Sequence, residues 1–414
     1  MKFSSILFFL LIQNAFPIEK LKLDDVIDYA LKNNIEILKA EENVSIAKQK
    51  VREARLLFLP NVVLSADYAK AYNEYPLVWQ TEYGPRYIDN KYDEKDFYDL
   101  RLSITQSLYN GGKHTKMLEF AKTNWQQEKI NYESIKDSVI KKVKINFYNT
   151  LMYQKIVSDI NENYPTIKKI FDRIDKKSGD YFLAFKMLDE IDRTREEYQS
   201  RYEASRIELK NLTNKLNDFE IDDNFEEIEN VNFDENKLII SAMEKRPELA
   251  RDIYQSKLDS LNIAIAQTRR YPNIYLGFSQ DLMSSKFSDL TDTDRRIRNS
   301  LFYVNISFPI TYDFWLEIAQ KKAEEKINNL ERIKREEMIR LEITQNYRNF
   351  ILYRKRCKED REKLQQLKQE MERISETQAF YKFQSLKIYC EFKKQYYQDL
   401  YNQMLAYIEI ERNL

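Results

Sequence analysis

The chain contains a long internal repeat. The stretch Glu36–Pro60 has a counterpart in Glu248–Pro272, and each stretch has the pattern of a helix that stops at a proline and is followed by an alternating strand. Pro60 and Pro272 lie 212 positions apart, and at the same offset Ala30 corresponds to Ala242. A duplication of this length predicts two similar structural units, each of which needs its twin to complete a fold.

The repeat divides the chain into four predicted segments. Residues 1–15 form a signal peptide, residues 16–217 the first structural repeat, residues 218–235 an acidic and solvated linker, and residues 236–414 the second repeat. The signal peptide is indicated by Lys2, the apolar run Phe3–Ile12 and the small residue Ala15 at a plausible cleavage position. The mature chain is therefore expected to leave the cytoplasm.

The elements of each repeat must be long, because only 5 glycines and 8 prolines interrupt 414 residues. Three stretches contain neither residue: Lys113–Tyr164, Asp180–Arg246, and the chain from Ile310 onward. A helix of fifty residues spans roughly 75 Å. We expect the first long helix to bend or end around Asn163–Pro165, a second helix over Phe182–Asn217, and a charged turn near residues 360–380 in the second half.

Charge and hydropathy exclude several classes of protein. Lys and Arg together number 67 and so do Asp and Glu, so no basic field indicates nucleic acid. Mean hydropathy is -0.67, and the mature chain lacks a run of about 18 apolar residues, so any membrane span should be built from strands. The single histidine, His114, has no partner pattern, and the acidic residues follow helical faces. The sequence predicts no enzyme, no metal site and no cofactor.

Four segments alternate in the manner of transmembrane strands. Each has about ten residues with one apolar and one polar face, which is the length of a membrane-barrel strand. Four strands cannot close a barrel, and open edges in lipid are costly, so several copies must combine. Two copies give eight strands and three give twelve, and we favour three because a polar lumen needs room for water. The residues predicted to face that lumen are Asp67, Asp99, Arg101, Ser103, Thr105, Ser279, Asp281, Asn305 and Ser307.

Short motifs mark the junctions between strands and helices. The predicted strand-helix turns are Pro60, Gly111, Gly112, Pro272 and Pro309. With these motifs, the chain resembles the TolC family of outer-membrane efflux proteins over nearly its whole mature length. The resemblance rests on Gln106–Gly112 with its glycine pair, and on Arg246-Pro247-Glu248-Leu249. In the first half Ile35 and Ser107 stand where the family has proline, whereas Pro247 and Pro309 restore it in the second.

The resemblance implies a specific fold and assembly. The fold class is α plus transmembrane β, with a duplicated strand pair and long coiled-coil hairpins. Three subunits would form a 12-stranded barrel and an α-helical periplasmic tunnel. The implied function is the outer-membrane duct of a tripartite efflux or type I secretion system. Its implied partners are outer-membrane lipid, a periplasmic adaptor protein, and an inner-membrane pump or ABC exporter.

The family closes its tunnel at the helix tips with charged and polar contacts. The acids expected near the last hairpin are absent from Phe383–Lys387. The candidate tip residues in this chain are Gly179, Lys186, Asp189, Glu190, Gln384 and Lys387. A ring of three Lys387 side chains would repel cations, and Lys387→Asp is then expected to change ion selectivity.

Two other functions fit parts of the pattern. A secreted or periplasmic coiled-coil scaffold would use the same helices and place the strands in a small soluble sheet. A passive porin would keep the barrel, but porin strands are joined by short periplasmic turns. Cys357 and Cys390 lie on predicted helices, where they form either a disulfide across a hairpin or two thiols of no consequence.

Overall fold

The computed structural model describes residues 19–70, 77–81, 84–88, 96–214, 219–229, 231–309, 313–375 and 378–412. The predicted signal peptide lies outside these residues. The strands are β1 (Glu19–Leu21), β2 (Asn61–Lys70), β3 (Leu77–Thr81), β4 (Gly84–Ile88), β5 (Asp96–Tyr109), β6 (Phe219–Ile221), β7 (Asn273–Ser284) and β8 (Ile297–Ser307). The helices are α1 (Leu23–Asn33), α2 (Ile35–Leu56), α3 (Lys113–Phe171), α4 (Gly179–Thr213), α5 (Glu235–Lys245), α6 (Pro247–Gln267), α7 (Phe314–Arg373) and α8 (Ala379–Glu411).

The described chain divides into two compact units. The helical unit comprises the described residues within 1–42, 130–250 and 333–414. The strand unit comprises the described residues within 43–129 and 251–332. None of the helices in the described ranges is both long enough and apolar enough to cross a bilayer.

The internal repeat is visible in the element bounds. Helices α1 and α5, and likewise α2 and α6, begin 212 positions apart. The residues that end α1 and α5, Asn34 and Arg246, are equivalent and both are buried. Asn34 donates to the Leu212 carbonyl at 2.9 Å, whereas Arg246 donates to both carboxylate oxygens of Glu342 at 3.1 and 3.3 Å. Each half thus anchors the same helix junction with a different polar side chain.

The strand pairs of the two halves form one sheet of order β2-β5-β7-β8, antiparallel throughout. Pro60 and Pro272 immediately precede β2 and β7, where proline's missing N–H removes no ladder hydrogen bond. The first half also carries β3 and β4, which pair antiparallel with each other between β2 and β5. The two halves therefore match through their first strand and differ in the connection that follows it.

Gly111 makes the tight turn from β5 into α3. Its φ of +65° is a conformation that favours glycine, and Gly112 follows with φ +82°. A Cβ on Gly111 would lie 2.7 Å from the Cβ of Tyr271 and 2.9 Å from the Thr268 carbonyl oxygen. The turn therefore needs glycine both for its backbone conformation and for its close packing.

The sequence predicts that the first long helix bends or ends around Asn163–Pro165. Helix α3 does not end there. It continues through Pro165 to Phe171. Proline inside a helix loses one hydrogen bond and is usually unfavourable by about 3 kcal/mol. The last turns beyond it bury Ile167 and Ile170, at 1% and 7% exposure, so tertiary packing offsets that loss.

The long helices of the helical unit pack as two hairpins, α3 with α4 and α7 with α8. One core combines α1, α3, α4 and β6 around Val139, Val143, Phe147 and Leu209. Its counterpart combines α5, α7 and α8 around Leu238, Ile343, Phe350 and Ile410. The spacing of four residues along α3 predicted the inward positions of the first core.

The acidic linker is only partly solvated. Its strand β6 pairs in parallel with β1, and Phe219 and Ile221 are 1% and 4% exposed. Further along, Glu227 accepts a hydrogen bond from the Tyr396 hydroxyl at 2.9 Å. The expectation of a solvated linker is therefore wrong for these residues, because alternate apolar side chains among the acids fill the core beneath.

Neither cysteine forms a disulfide. Cys357 is a buried thiol and Cys390 a half-buried one. Burial raises the pKa of Cys357 to about 12 and that of Cys390 to about 11, so both remain protonated near neutral pH.

Candidate functional site

The sheet of the strand unit has one polar face. The cross-strand register pairs Asp67 with Asp99 and Arg101 with Asp281. Because alternate residues of a strand point to the same face, register and alternation together define the membership of that face. Its members include all nine residues predicted to face a lumen: Asp67, Asp99, Arg101, Ser103, Thr105, Ser279, Asp281, Asn305 and Ser307. That this face lines a lumen stays a prediction.

The opposite face is apolar and exposed. On the edge strands, Leu64 is 69% exposed, Phe302 67% and Ile306 69%. On the polar face, by contrast, Ser279 and Asp281 of the central strand β7 are 1% and 0% exposed. This is the reverse of a soluble sheet, which buries its apolar face and hydrates its polar one. A large exposed apolar surface marks a partner or a lipid environment.

A buried ion cluster lies on the polar face. Arg101 Nε donates to Asp281 Oδ1 at 2.9 Å, and Arg101 also donates to Asp99 Oδ2 at 3.1 Å. The Ser279 hydroxyl donates to the same Asp281 oxygen at 3.3 Å. One guanidinium thus serves two carboxylates whose side chains are 2% and 0% exposed.

Gly277 fits between neighbouring strands because it lacks a side chain. It pairs with Tyr303 across β7 and β8, and a Cβ at Gly277 would lie 2.2 Å from the Tyr303 ring. The tyrosine therefore covers the glycine on the polar face. Aromatic side chains that shield strand glycines stabilise curved sheets.

His114 has a structural environment. It lies in the first turn of α3, where its backbone N–H donates to Asn110 Oδ1 at 3.4 Å and its ring contacts Phe58 edge to face at 5.8 Å. Burial and the nearby Lys113 lower the pKa of His114, so the ring is neutral at pH 7. These contacts give His114 a structural role at the start of α3.

The helical unit has its own cluster where the hairpin turns lie. This tip cluster combines the end of α3 (Ile167, Ile170), the start of α4 (Ala184) and the start of α8 (Phe383, Leu386). Met371 near the end of α7 packs against it. All four long helices thus meet here in one apolar core, so the two hairpins are joined at their tips within one protomer.

Ion pairs link α8 to the other hairpin beside this core. Lys387 Nζ lies 2.5 Å from Glu190 Oε2 on α4 and 3.5 Å from Glu391 Oε1 on α8. Lys393 Nζ lies 2.6 Å from Asp159 Oδ1 on α3. Beyond them, Gln398 donates to the Tyr198 hydroxyl at 2.9 Å.

The hydrogen bond from Lys387 lowers the pKa of Glu190. A lowered carboxyl pKa means that the pair contributes at pH values above the ordinary glutamate range and is lost as pH falls through the lowered value. The contact between the hairpins is therefore fully formed at neutral pH.

The structure brings Glu190 and Lys387 together but separates the other predicted tip residues from them. Gly179 begins α4 and has open space around it, and Asp189 pairs with Arg193 one turn along α4 at 2.9 Å. Lys186 is exposed and Gln384 half-buried. Lys387 has a side chain only 14% exposed with two acidic neighbours, so its charge is compensated within the protomer.

The sequence reasoning missed the pair of Lys393 with Asp159 and the exposed aromatics Phe182 and Phe185 at the start of α4, which are 75% and 58% exposed. The aromatics have a sequence signal, because two phenylalanines three residues apart share one helical face. The Lys393 pair has none, since its two residues are 234 positions apart.

The family model described as outer membrane efflux protein matches residues 26–176. The resemblance to the outer-membrane efflux family is confirmed. No curated protein sequence matches the chain. Solved structures share its fold at low identity: CusC at 13% identity and a TM-score of 0.76, covering 98% of this chain and 95% of that one. A membrane protein from Pseudomonas aeruginosa is similar at 12% identity and a TM-score of 0.75, covering 94% of this chain and 93% of that one.

The Campylobacter jejuni CmeC outer membrane channel is also similar, at 15% identity and a TM-score of 0.70, covering 94% of this chain and 85% of that chain. Likeness at these identities shows the fold. The predicted fold class, a duplicated strand pair with long helical hairpins, is confirmed. The family model and the shared fold make the chain similar to outer-membrane efflux channels.

Proposed function

We propose that three copies of the chain form one outer-membrane duct that passively conducts substrates delivered from the inner membrane. In this account the four-stranded sheets join into a barrel of twelve strands, and the hairpins of the helical units form a tunnel in the periplasm. An adaptor protein connects the tunnel to an inner-membrane pump or ABC exporter, as in tripartite efflux or type I secretion. The signal peptide and the two repeats are part of the same proposal.

The observation that carries this proposal is the reversed polarity of the sheet. Leu64, Phe302 and Ile306 are exposed on one face while Asp99 and Asp281 are buried on the other. An apolar face of this kind matches hydrocarbon, and a polar face matches a wet lumen. A soluble scaffold would not expose these apolar side chains to water.

The edges of the sheet require additional copies. β2 and β8 each pair on one side only within the described sheet. In lipid, unpaired backbone groups are unfavourable by several kcal/mol each, so the edges must pair with other subunits. Joining β8 of one copy to β2 of the next closes a ring of any number of subunits. Three copies leave room for water around the charged residues, whereas eight strands from two copies leave a lumen filled by side chains.

The helices supply length for a duct. α3 has 59 residues and α7 has 60, which correspond to roughly 90 Å each. That is about three times the hydrocarbon thickness of a bilayer. Helices of this length support a tunnel that extends well beyond the membrane, which a porin does not have.

A polar groove in the helical unit supports the proposal of a docking site for an adaptor. The groove lies between α3 and α4 and has a volume of about 710 Å³. Its lining residues are Asn161, Tyr164, Asp192, Arg195, Glu196, Gln199, Ser200 and Glu203.

Conductance in planar lipid bilayers tests the proposed duct. Protein extracted in detergent from the outer-membrane fraction is expected to produce stepwise current increases of uniform size. An equal amount of protein unfolded and diluted without detergent serves as the control. A native preparation that inserts into the bilayer without producing current would overturn the proposal.

A further inference from the structure

We propose that the ion cluster of Asp67, Asp99, Arg101 and Asp281 makes the duct prefer cations over anions. This inference rests on the proposed function, because it requires the polar face of the sheet to line the conducting lumen. It adds the residues that determine selectivity, and it places them in the sheet and not at the helix tips.

The cluster occupies two adjacent rows of the sheet. Asp67 of β2 is directly opposite Asp99 of β5, and Arg101 of β5 is directly opposite Asp281 of β7. Ser65 lies opposite Arg101 on one side, and Asn299 lies opposite Asp281 on the other. Four charges on three strands therefore lie at nearly one level, and closure of a barrel would turn that level into a ring.

The charges in these rows do not balance. Along the polar face of the four described strands, the other positions hold uncharged side chains. Three aspartates against one arginine leave two negative charges per protomer. Arg298, Asp96 and Lys70 belong to the apolar face by alternation, so they do not compensate the cluster.

A second observation indicates that something outside the single protomer completes the cluster. Asp99 Oδ1 and Asp281 Oδ2 are buried, and no described residue donates a hydrogen bond to either oxygen. A buried carboxylate oxygen without a donor is unfavourable and calls for a water molecule or an ion. Water or cations in the lumen of the assembled duct would supply the missing partners.

The cluster lies near the first residues of β5. β5 runs from Asp96 to Tyr109, and the turn into α3 follows Tyr109. Asp99 and Arg101 therefore lie near the end of β5 that is far from the turn into α3. In a closed barrel, a negative ring at this level acts on ions in the lumen, because rings of carboxylates favour cations.

The test compares permeability ratios for potassium and chloride, measured from reversal potentials across a salt gradient. The native duct is expected to favour potassium. Asp99→Asn combined with Asp281→Asn should lower the ratio about fivefold, as six unit charges are removed from a hydrated lumen. Arg101→Gln should raise the ratio, because it removes the only positive charge of the cluster on the described polar face.

Two matched variants separate net charge from local disturbance. Arg101→Gln combined with Asp281→Asn removes one charge of each sign, so the ratio should stay within about twofold of the native value. Arg298→Gln removes the same positive charge as Arg101→Gln but from the apolar face, and it should leave the ratio unchanged. Asp67 is exposed and outside the hydrogen-bonded core of the cluster, so Asp67→Asn tests the inference in a variant that keeps those bonds.

The outcomes distinguish this inference from the proposed function. A duct that conducts in all variants with one common permeability ratio would overturn the inference alone. Opposite shifts for the aspartate and arginine variants would support it, and the preference should weaken in 1 M salt, where charges are screened within about 3 Å. Absence of conductance in the native protein would overturn the proposed duct and this inference with it.

Discussion

Phe302→Arg is expected to remove the protein almost completely from the outer-membrane fraction. Phe302 lies at the middle of the eleven-residue strand β8, on the apolar face, and is 67% exposed. A charged side chain at the bilayer midplane destabilises a membrane barrel by about 2–4 kcal/mol. Three copies multiply that effect to roughly 6–12 kcal/mol per assembled duct, which is comparable to the stability of a whole domain.

Asn305→Arg is the matched control for this variant. Asn305 lies in the same strand three positions away but on the polar face, so it introduces the same charge toward the proposed lumen. The measurement is the share of protein found in the outer-membrane fraction, with total expression quantified in parallel. Equal recovery of both variants would show that the exposed apolar face does not contact lipid, and it would favour the soluble scaffold.

Lys387→Asp is expected to increase the conductance of the duct several-fold. The substitution places an aspartate beside Glu190 and Glu391, so an attractive contact between α8 and α4 becomes a repulsive one. The hairpins then separate at the tip, where the family closes its tunnel. The expected increase follows from a wider tip and not from a changed charge alone.

The charge-swapped variant separates this explanation from the ring of three Lys387 side chains that the sequence suggested. Glu190→Lys with Lys387→Asp restores an ion pair of opposite direction, and conductance should return toward the native value. A ring of exposed lysines predicts instead that both variants change ion selectivity to the same extent. Gln384→Asp, on the same helix beside the pair, serves as a charge control.

Acid should have little effect on the ion pair between Glu190 and Lys387 until the pH falls below the ordinary glutamate range. The pKa of Glu190 is lowered by its hydrogen bond from Lys387, so the pair persists as pH decreases from 7 and is lost only as pH passes through the lowered value. Opening of the native duct between pH 7 and pH 5 would contradict a role for this pair in closure.

Much of the fold follows from periodicity and punctuation. The repeat predicted helices and strands at equivalent positions, and α1 with α5 and α2 with α6 begin at the same 212-residue offset. Prolines before β2 and β7 and the glycine pair after β5 mark changes of backbone conformation that side chains enforce locally. Pro165 was misleading as a helix end, because packing of Ile167 and Ile170 outweighs the local preference.

The sequence predicts which strand residues share a face of the sheet, but it does not predict which of them are in contact. Alternation alone grouped Asp99, Arg101 and Asp281 with the other polar strand residues, because a strand has a period of two. The pairing of Arg101 with Asp281 depends on the register between strands 180 positions apart, which alternation does not specify. The contact between Glu190 and Lys387 depends in the same way on how two distant hairpins pack.

Native mass spectrometry of protein extracted in detergent from the outer-membrane fraction tests the central claim most directly. The exposed apolar face and the open edges of the sheet require additional copies, and a water-filled lumen favours three, so the account predicts three times the mass of the mature chain. A water-soluble monomer or dimer that needs no detergent would contradict the duct, and it would leave the coiled-coil scaffold as the better explanation of the helices.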